Sequence, residues 1–135
     1  MRAFFPLASS LVILQSLVPG SLGFCVYNNL KGDNTLFVQQ ISGWGRDATS
    51  AFTCDYLTSG NRACCNYHNT GCVAGGNINQ NIELVVELSG NAGFTTLQYW
   101  IVDIPGGGWL NVTGTPGSIL LNAYDSQGDH LKTYQ

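Results

Sequence analysis

Two histidines, His68 and His130, and eight carboxylates are the groups in this 135-residue chain that can move a proton near neutral pH. With Glu83 or Arg62, either histidine makes the acid–base set of a small secreted hydrolase, ribonuclease-like or glycan-directed. Nothing in the spacing brings those residues together. Glu83 and Glu87 resemble a carboxylate pair, yet four residues along a strand part them by about 13 Å. Glycosidases place such a pair roughly 5 Å or up to roughly 9.5 Å apart. A second strand would have to supply the partner, for instance Asp103. Cys65-x2-His68-x3-Cys72 has the spacing of metal ligands, but structural zinc needs four thiolates or imidazoles and disulfide formation removes the thiols. Asp125-Ser126-Gln127-Gly128-Asp129 lacks the alternating acidic ligands and closing glutamate of a calcium loop, and reads as a hairpin turn. The Gly-x-Ser-x-Gly elbow of serine hydrolases is absent. No catalytic set, metal or cofactor is therefore expected.

The sulfur chemistry is more informative. Four of the five cysteines crowd into one stretch, Cys54, Cys64, Cys65 and Cys72; the fifth is Cys25. Neighbouring cysteines lie about 3.8 Å apart at Cα, closer than the usual ~4.4 Å minimum for a bridge. Cys64 and Cys65 must go to different partners among Cys25, Cys54 and Cys72. A Cys65–Cys72 bridge closes a short ring worth about 2.5 kcal/mol, and Cys25 to Cys64 or Cys65 a longer one worth about 3.9 kcal/mol. The plan expected is the long bridge plus one short bridge inside the stretch. The remaining cysteine is either a buried free thiol or the link of a disulfide-bonded dimer.

Disulfides imply an oxidising compartment, and the N-terminus agrees. Arg2 precedes a mostly apolar segment from Ala3 to Val18, and Ser21-Leu22-Gly23 offers the small residues of a cleavage site. Residues 1–23 thus read as a secretory signal, with residues 24–135 as one secreted domain. The apolar segment is shorter than the ~20 residues that span a bilayer. Beyond the leader, Lys31, Arg46, Arg62 and Lys132 face eight carboxylates, a net charge of −4. Four scattered cations form no basic patch, which argues against nucleic acid and against anionic membrane as partners.

The elements that must position these residues read as strands. Phe24–Leu30 and Thr35–Ile41 flank the turn Lys31-Gly32-Asp33-Asn34. Little regular structure is expected between Gly45 and Gln80, apart from one helical turn near Ala48–Phe52. In Asn81–Ser89, apolar Ile82, Leu84, Val86 and Leu88 alternate with Glu83, Val85 and Glu87, the period of a half-buried strand. Turns at Gly90–Gly93, Pro105–Gly108, Gly114–Gly117 and Asp125–Gly128 separate strands at Phe94–Ile104, Trp109–Thr113, Ser118–Tyr124 and His130–Tyr134. About seven short strands and no long helix predict an all-β fold, an antiparallel β-sandwich with a disulfide-stapled loop.

On such a frame the binding candidates are aromatic. Asn111-Val112-Thr113 is a glycosylation sequon, and strand parity points Asn111 the same way as Trp109. A glycan on Asn111 requires a wet face and so exposes Trp109, unless the indole packs beneath a loop at the sheet edge. Trp44, between two glycines, is the second candidate; Trp100 reads as core.

A secretory leader, a start at FCVYNNL, a CC-x6-C loop and a strand pair around AYDSQGD together resemble small secreted cysteine-containing proteins of fungi. The resemblance implies an extracellular or host-directed role, as an effector or a surface protein, and brings no catalytic residues with it. The function expected is a non-enzymatic extracellular module that binds a protein or glycan through Trp44 and Trp109. The alternative is the small secreted hydrolase, which requires His68 or His130 to meet a carboxylate in one cleft.

Overall fold

A computed structural model describes residues 23–45, 51–89 and 96–135. The leader up to residue 22, residues 48–50 of the expected helical turn and the Gly90–Gly93 turn lie outside the described residues. Nine strands are described: β1 Gly23–Leu30, β2 Thr35–Ser42, β3 Thr53–Thr58, β4 Arg62–Asn66, β5 Asn81–Ser89, β6 Thr96–Pro105, β7 Trp109–Thr115, β8 Ser118–Tyr124 and β9 His130–Tyr134. They form two packed sheets, ordered β4-β1-β7-β8-β9 and β3-β2-β5-β6. The fold is the expected all-β sandwich.

Period-two patterning builds it. Ile82, Leu84, Val86 and Leu88 of β5 point inward against Leu36 and Val38 of β2 and Trp100, Val102 and Ile104 of β6. Phe24 and Val26 of β1, Leu110 and Val112 of β7, and Leu121 and Ala123 of β8 close the core from the other sheet. Each fully buried aliphatic side chain contributes roughly 1.5–3 kcal/mol relative to exposure.

Two features depart from the sequence reading. The stretch from Gly45 to Gln80 is not largely irregular: it holds β3, β4 and a short 3-10 turn at Ala74–Gly76, while Ala51 and Phe52 are not helical. These strands escaped detection because they sit at sheet edges and bury little. Only Leu57 of β3 is fully inside, and β4 contributes Ala63 and Cys65 in part. Secondly, β1 and β7 pair in parallel, Cys25 opposite Trp109 and Tyr27 opposite Asn111. The chain leaves β1, builds the second sheet and returns, so no hairpin forces these two strands antiparallel.

The disulfides follow the expected plan. Cys25 and Cys64 are bonded directly across the β1–β4 ladder, and Cys65 is bonded to Cys72 in the loop after β4. That loop reaches the core through Cys72 and Val73, both buried. Gln40, also buried, donates from its amide to the Cys72 carbonyl at 2.8 Å and the Ser42 carbonyl at 3.0 Å. Cys54 on β3 carries the free thiol and is half-buried.

Asn28 holds the corner where β3 passes to β4 from one sheet to the other. Its side chain is fully buried and donates to the carbonyls of Leu57 (2.7 Å) and Asn34 (2.9 Å), while Oδ1 accepts from Leu30 N–H (3.1 Å). Its backbone accepts from Gly60 and donates to Asn61. The Ser59 hydroxyl donates to the Leu30 carbonyl beside it.

Asn28→Ala strands the buried Leu57 carbonyl and Leu30 N–H and the part-buried Asn34 carbonyl, so chemical denaturation is expected to show a loss of about 3 kcal/mol. Removing both cysteines of the Cys25–Cys64 bridge should cost about 3.9 kcal/mol and of the Cys65–Cys72 bridge about 2.5 kcal/mol, and equal losses would contradict the loop-entropy account.

Candidate functional site: the outer face of the five-stranded sheet

The tight turn at Pro116-Gly117 sets the register of β7 against β8. Gly114, at φ 104°, permits the strand to enter it; a Cβ there would overlap the Ser118 carbonyl oxygen. Counting back from Thr115 opposite Ser118, Asn111 falls opposite Asn122 and Trp109 opposite Tyr124. The β8–β9 ladder then sets Asn122 opposite Thr133 and Tyr124 opposite His130. Parity points Trp109, Asn111, Asn122, Tyr124 and Thr133 away from the core, and the bulge between the Ala123 and Tyr124 pairs brings His130, three residues from Thr133, to the same face.

The result is an aromatic shelf beside a polar row. The Trp109 and Tyr124 rings stack with centroids 5.0 Å apart and planes inclined by 14°. His130 meets Tyr124 edge-on at 5.5 Å. Gly128 of the Asp125–Asp129 turn lies against the far edge of the indole, so Trp109 is half-buried on the sheet with a loop at its rim. That turn is held by Asp125 Oδ1, which accepts from Gln127 and Asp129 N–H at 2.9 Å each, the hairpin role expected of it.

The polar row is a directed chain. The Thr133 hydroxyl gives its single proton to Asn122 Oδ1 at 2.7 Å. The same hydroxyl lies 3.0 Å from His130 Nε2 and can accept from it in the Nε2–H tautomer. Asn29 Nδ2 donates to Asn111 Oδ1 at 2.7 Å. Neither bond uses Nδ2 of Asn111 or of Asn122. Farther along the face, Arg62 lies 5.9 Å over the Tyr27 ring.

The other candidates are scattered. Trp44 lies beyond β2, 37% exposed, beside Gly45, whose N–H bonds Thr70. His68 stacks on Tyr67 at 4.1 Å, and His130 has Tyr124 and Thr133 as its partners. Neither histidine meets a carboxylate among the described residues. Glu83 does face Asp103 across the β5–β6 ladder, but on an open sheet face where Asn81 binds Asp103 at 3.1 Å. A cleft of about 130 Å³ lined by Asp33, Asn34, Thr35, Thr58 and Ser59 lies near the opposite end of β5 and contains none of these groups. Cys65 and Cys72 are bonded to each other and cannot ligate a metal.

Sequence reasoning named Trp109, Asn111 and His130 separately and missed Tyr124, Asn122 and Thr133. The signal was present: pairing outward from the Thr115–Ser118 turn puts Tyr124 beside Trp109. Protein-family models, curated proteins and solved structures offer no match to this chain.

Tyr124→Ala uncovers one face of the indole. Selective excitation of the tryptophans should then show stronger acrylamide quenching than in the parent, and unchanged quenching would mean that the stack does not shield Trp109.

Proposed function

We propose that the chain is an extracellular binding module that recognises a neutral glycan, free or carried on a surface protein, on the shelf formed by Trp109, Tyr124 and His130. The observation that carries this reading is the stacked Trp109–Tyr124 pair on a strand face, bordered by the amide of Asn122. A flat apolar surface matches the C–H face of a sugar ring, and amide donors match its hydroxyls. Carboxylates are absent from the shelf itself, which favours uncharged ligands. Two disulfides fit an oxidising compartment, and no helix among the described residues is long and apolar enough to cross a membrane. The secretory leader and an effector-like or cell-wall role belong to the same proposal.

The hydrolase alternative receives no support, because its histidines contact tyrosine and threonine rather than carboxylates. Asn111 bears on specificity instead. Its Oδ1 is held by Asn29, leaving Nδ2 as the attachment point for an N-glycan. Such a glycan leaves the face two residues from Trp109 and narrows access to the shelf.

A glycan array and a pull-down on wall polysaccharide test the reading. Binding should fall about tenfold in Trp109→Ala with the fold intact, as expected for an aromatic anchor. Asn111→Gln, which removes the sequon, should retain or strengthen binding. Absence of binding to any glycan, or binding indifferent to Trp109, would overturn it.

A further inference from the structure

Among the described residues the sandwich has four open strand edges, and three of them are guarded. Strand β3 is bulged against β2 and carries Asp55. Strand β4 is five residues long and begins with Arg62. Strand β9 is also five residues long, is bulged against β8 and carries His130 and Lys132. Short length, bulges and charge are the usual protections of an edge.

The fourth edge, β6, has ten residues, its bulge lies at its start, and no charge occurs between Thr96 and Val102. Asp103 N–H donates to the Tyr134 hydroxyl at 2.9 Å, so at this position the backbone faces away from β5. Strand parity then turns the backbone N–H and C=O of Ile101 and Tyr99 outward as well. Among the described residues, Tyr134 caps the edge at Asp103. The side chains of Tyr99 and Ile101 are 65% and 52% exposed.

We infer that β6 pairs with β6 of a second copy of this chain, antiparallel about a two-fold axis at Trp100. In this register Tyr99 of each copy exchanges both backbone hydrogen bonds with Ile101 of the other, four bonds in all. The aromatic and β-branched side chains meet directly across the junction, a favourable cross-strand pair. The register is also electrostatically sound for an acidic chain. Glu87 neighbours Tyr99 and Val85 neighbours Ile101, so each Glu87 shares its row with the partner's Val85 rather than with a carboxylate. The Tyr134 cap stops the ladder before Asp103. Three residues per chain bury less than the ~800 Å² per partner of a standard stable interface, so the dimer is weak and forms at high concentration. This interface is independent of the glycan shelf and of the free thiol.

The test uses the chain with Cys54→Ser, which removes any disulfide-linked dimer. Sedimentation from about 10 µM to about 1 mM should show a monomer becoming a dimer, with Kd in that range. Hydrogen exchange should show the Tyr99 and Ile101 amides slowing at least severalfold as concentration rises. Ile101→Lys and, separately, Tyr99→Lys should each keep the chain monomeric, with the core amides of β5 still protected to show that it folds. A monomer at about 1 mM overturns self-pairing and leaves the edge to a strand of another protein. A dimer that survives both lysine variants, or that leaves these two amides unprotected, overturns the register.

Discussion

The buried amide of Asn28 is the contact on which the rest of the sandwich depends. One side chain reaches the turn before β2 through Asn34, the end of β3 through Leu57 and its own strand through Leu30. It thereby fixes where the chain crosses from one sheet to the other. A polar group with every bond made in a dry interior is strong because each alternative leaves donors and acceptors bare. The Cys25–Cys64 bridge lies three residues earlier on the same strand and secures β4, which buries too little apolar surface to stay by packing alone. Polar and covalent constraints thus act on β1 together. β1 in turn lies beside β7 and donates the Asn29 amide to the outer face.

From β1 the constraint passes outward by register. A parallel β1–β7 pair sets Asn111 beside Tyr27, and the hairpin after β7 sets Trp109 on Tyr124. A one-residue slip in that hairpin would bury Trp109 and expose Leu110, so core packing of Leu110 and Val112 enforces the stack on the opposite face. The shelf is therefore a consequence of core parity, and its rigidity derives from strands rather than from a loop.

Much of the frame was legible because buried apolar residues recur at every second position in β5, β7 and β8, with glycine-rich turns between strands. The plan of one long and one short bridge was legible because adjacent cysteines rarely share a bond and loop entropy favours the long closure; the choice of Cys64 over Cys65 for Cys25 was not, since both close loops of nearly equal length. What was hidden was hidden for physical reasons. β3 and β4 are edge strands whose buried positions are taken by cysteine and alanine as much as by aliphatic residues, so their periodicity is faint. Asn28 reads in FCVYNNL as one of two equivalent polar residues; only the crossing of β3 to β4 distinguishes its buried amide from the exposed Asn29. Of the site, Trp109 and Asn111 emerged from strand parity, whereas Tyr124, Asn122 and Thr133 required strand pairing, which depends on residues remote in sequence.

The two proposed surfaces lie on different sheets, and their combination has a consequence neither has alone. If the proposed shelf stacks on a single sugar, the buried area is small and each site would bind weakly. Pairing of β6 edges extends the four-stranded sheet, while the shelf occupies the outer face of the five-stranded one. A dimer would then carry two shelves in a fixed relation. On a polysaccharide that repeats the same unit, the second contact becomes intramolecular, and overall affinity rises without any new residue touching the ligand. Weak self-association and weak sugar binding are in that arrangement mutually reinforcing, since a polymer that gathers chains also raises the local concentration that β6 pairing requires.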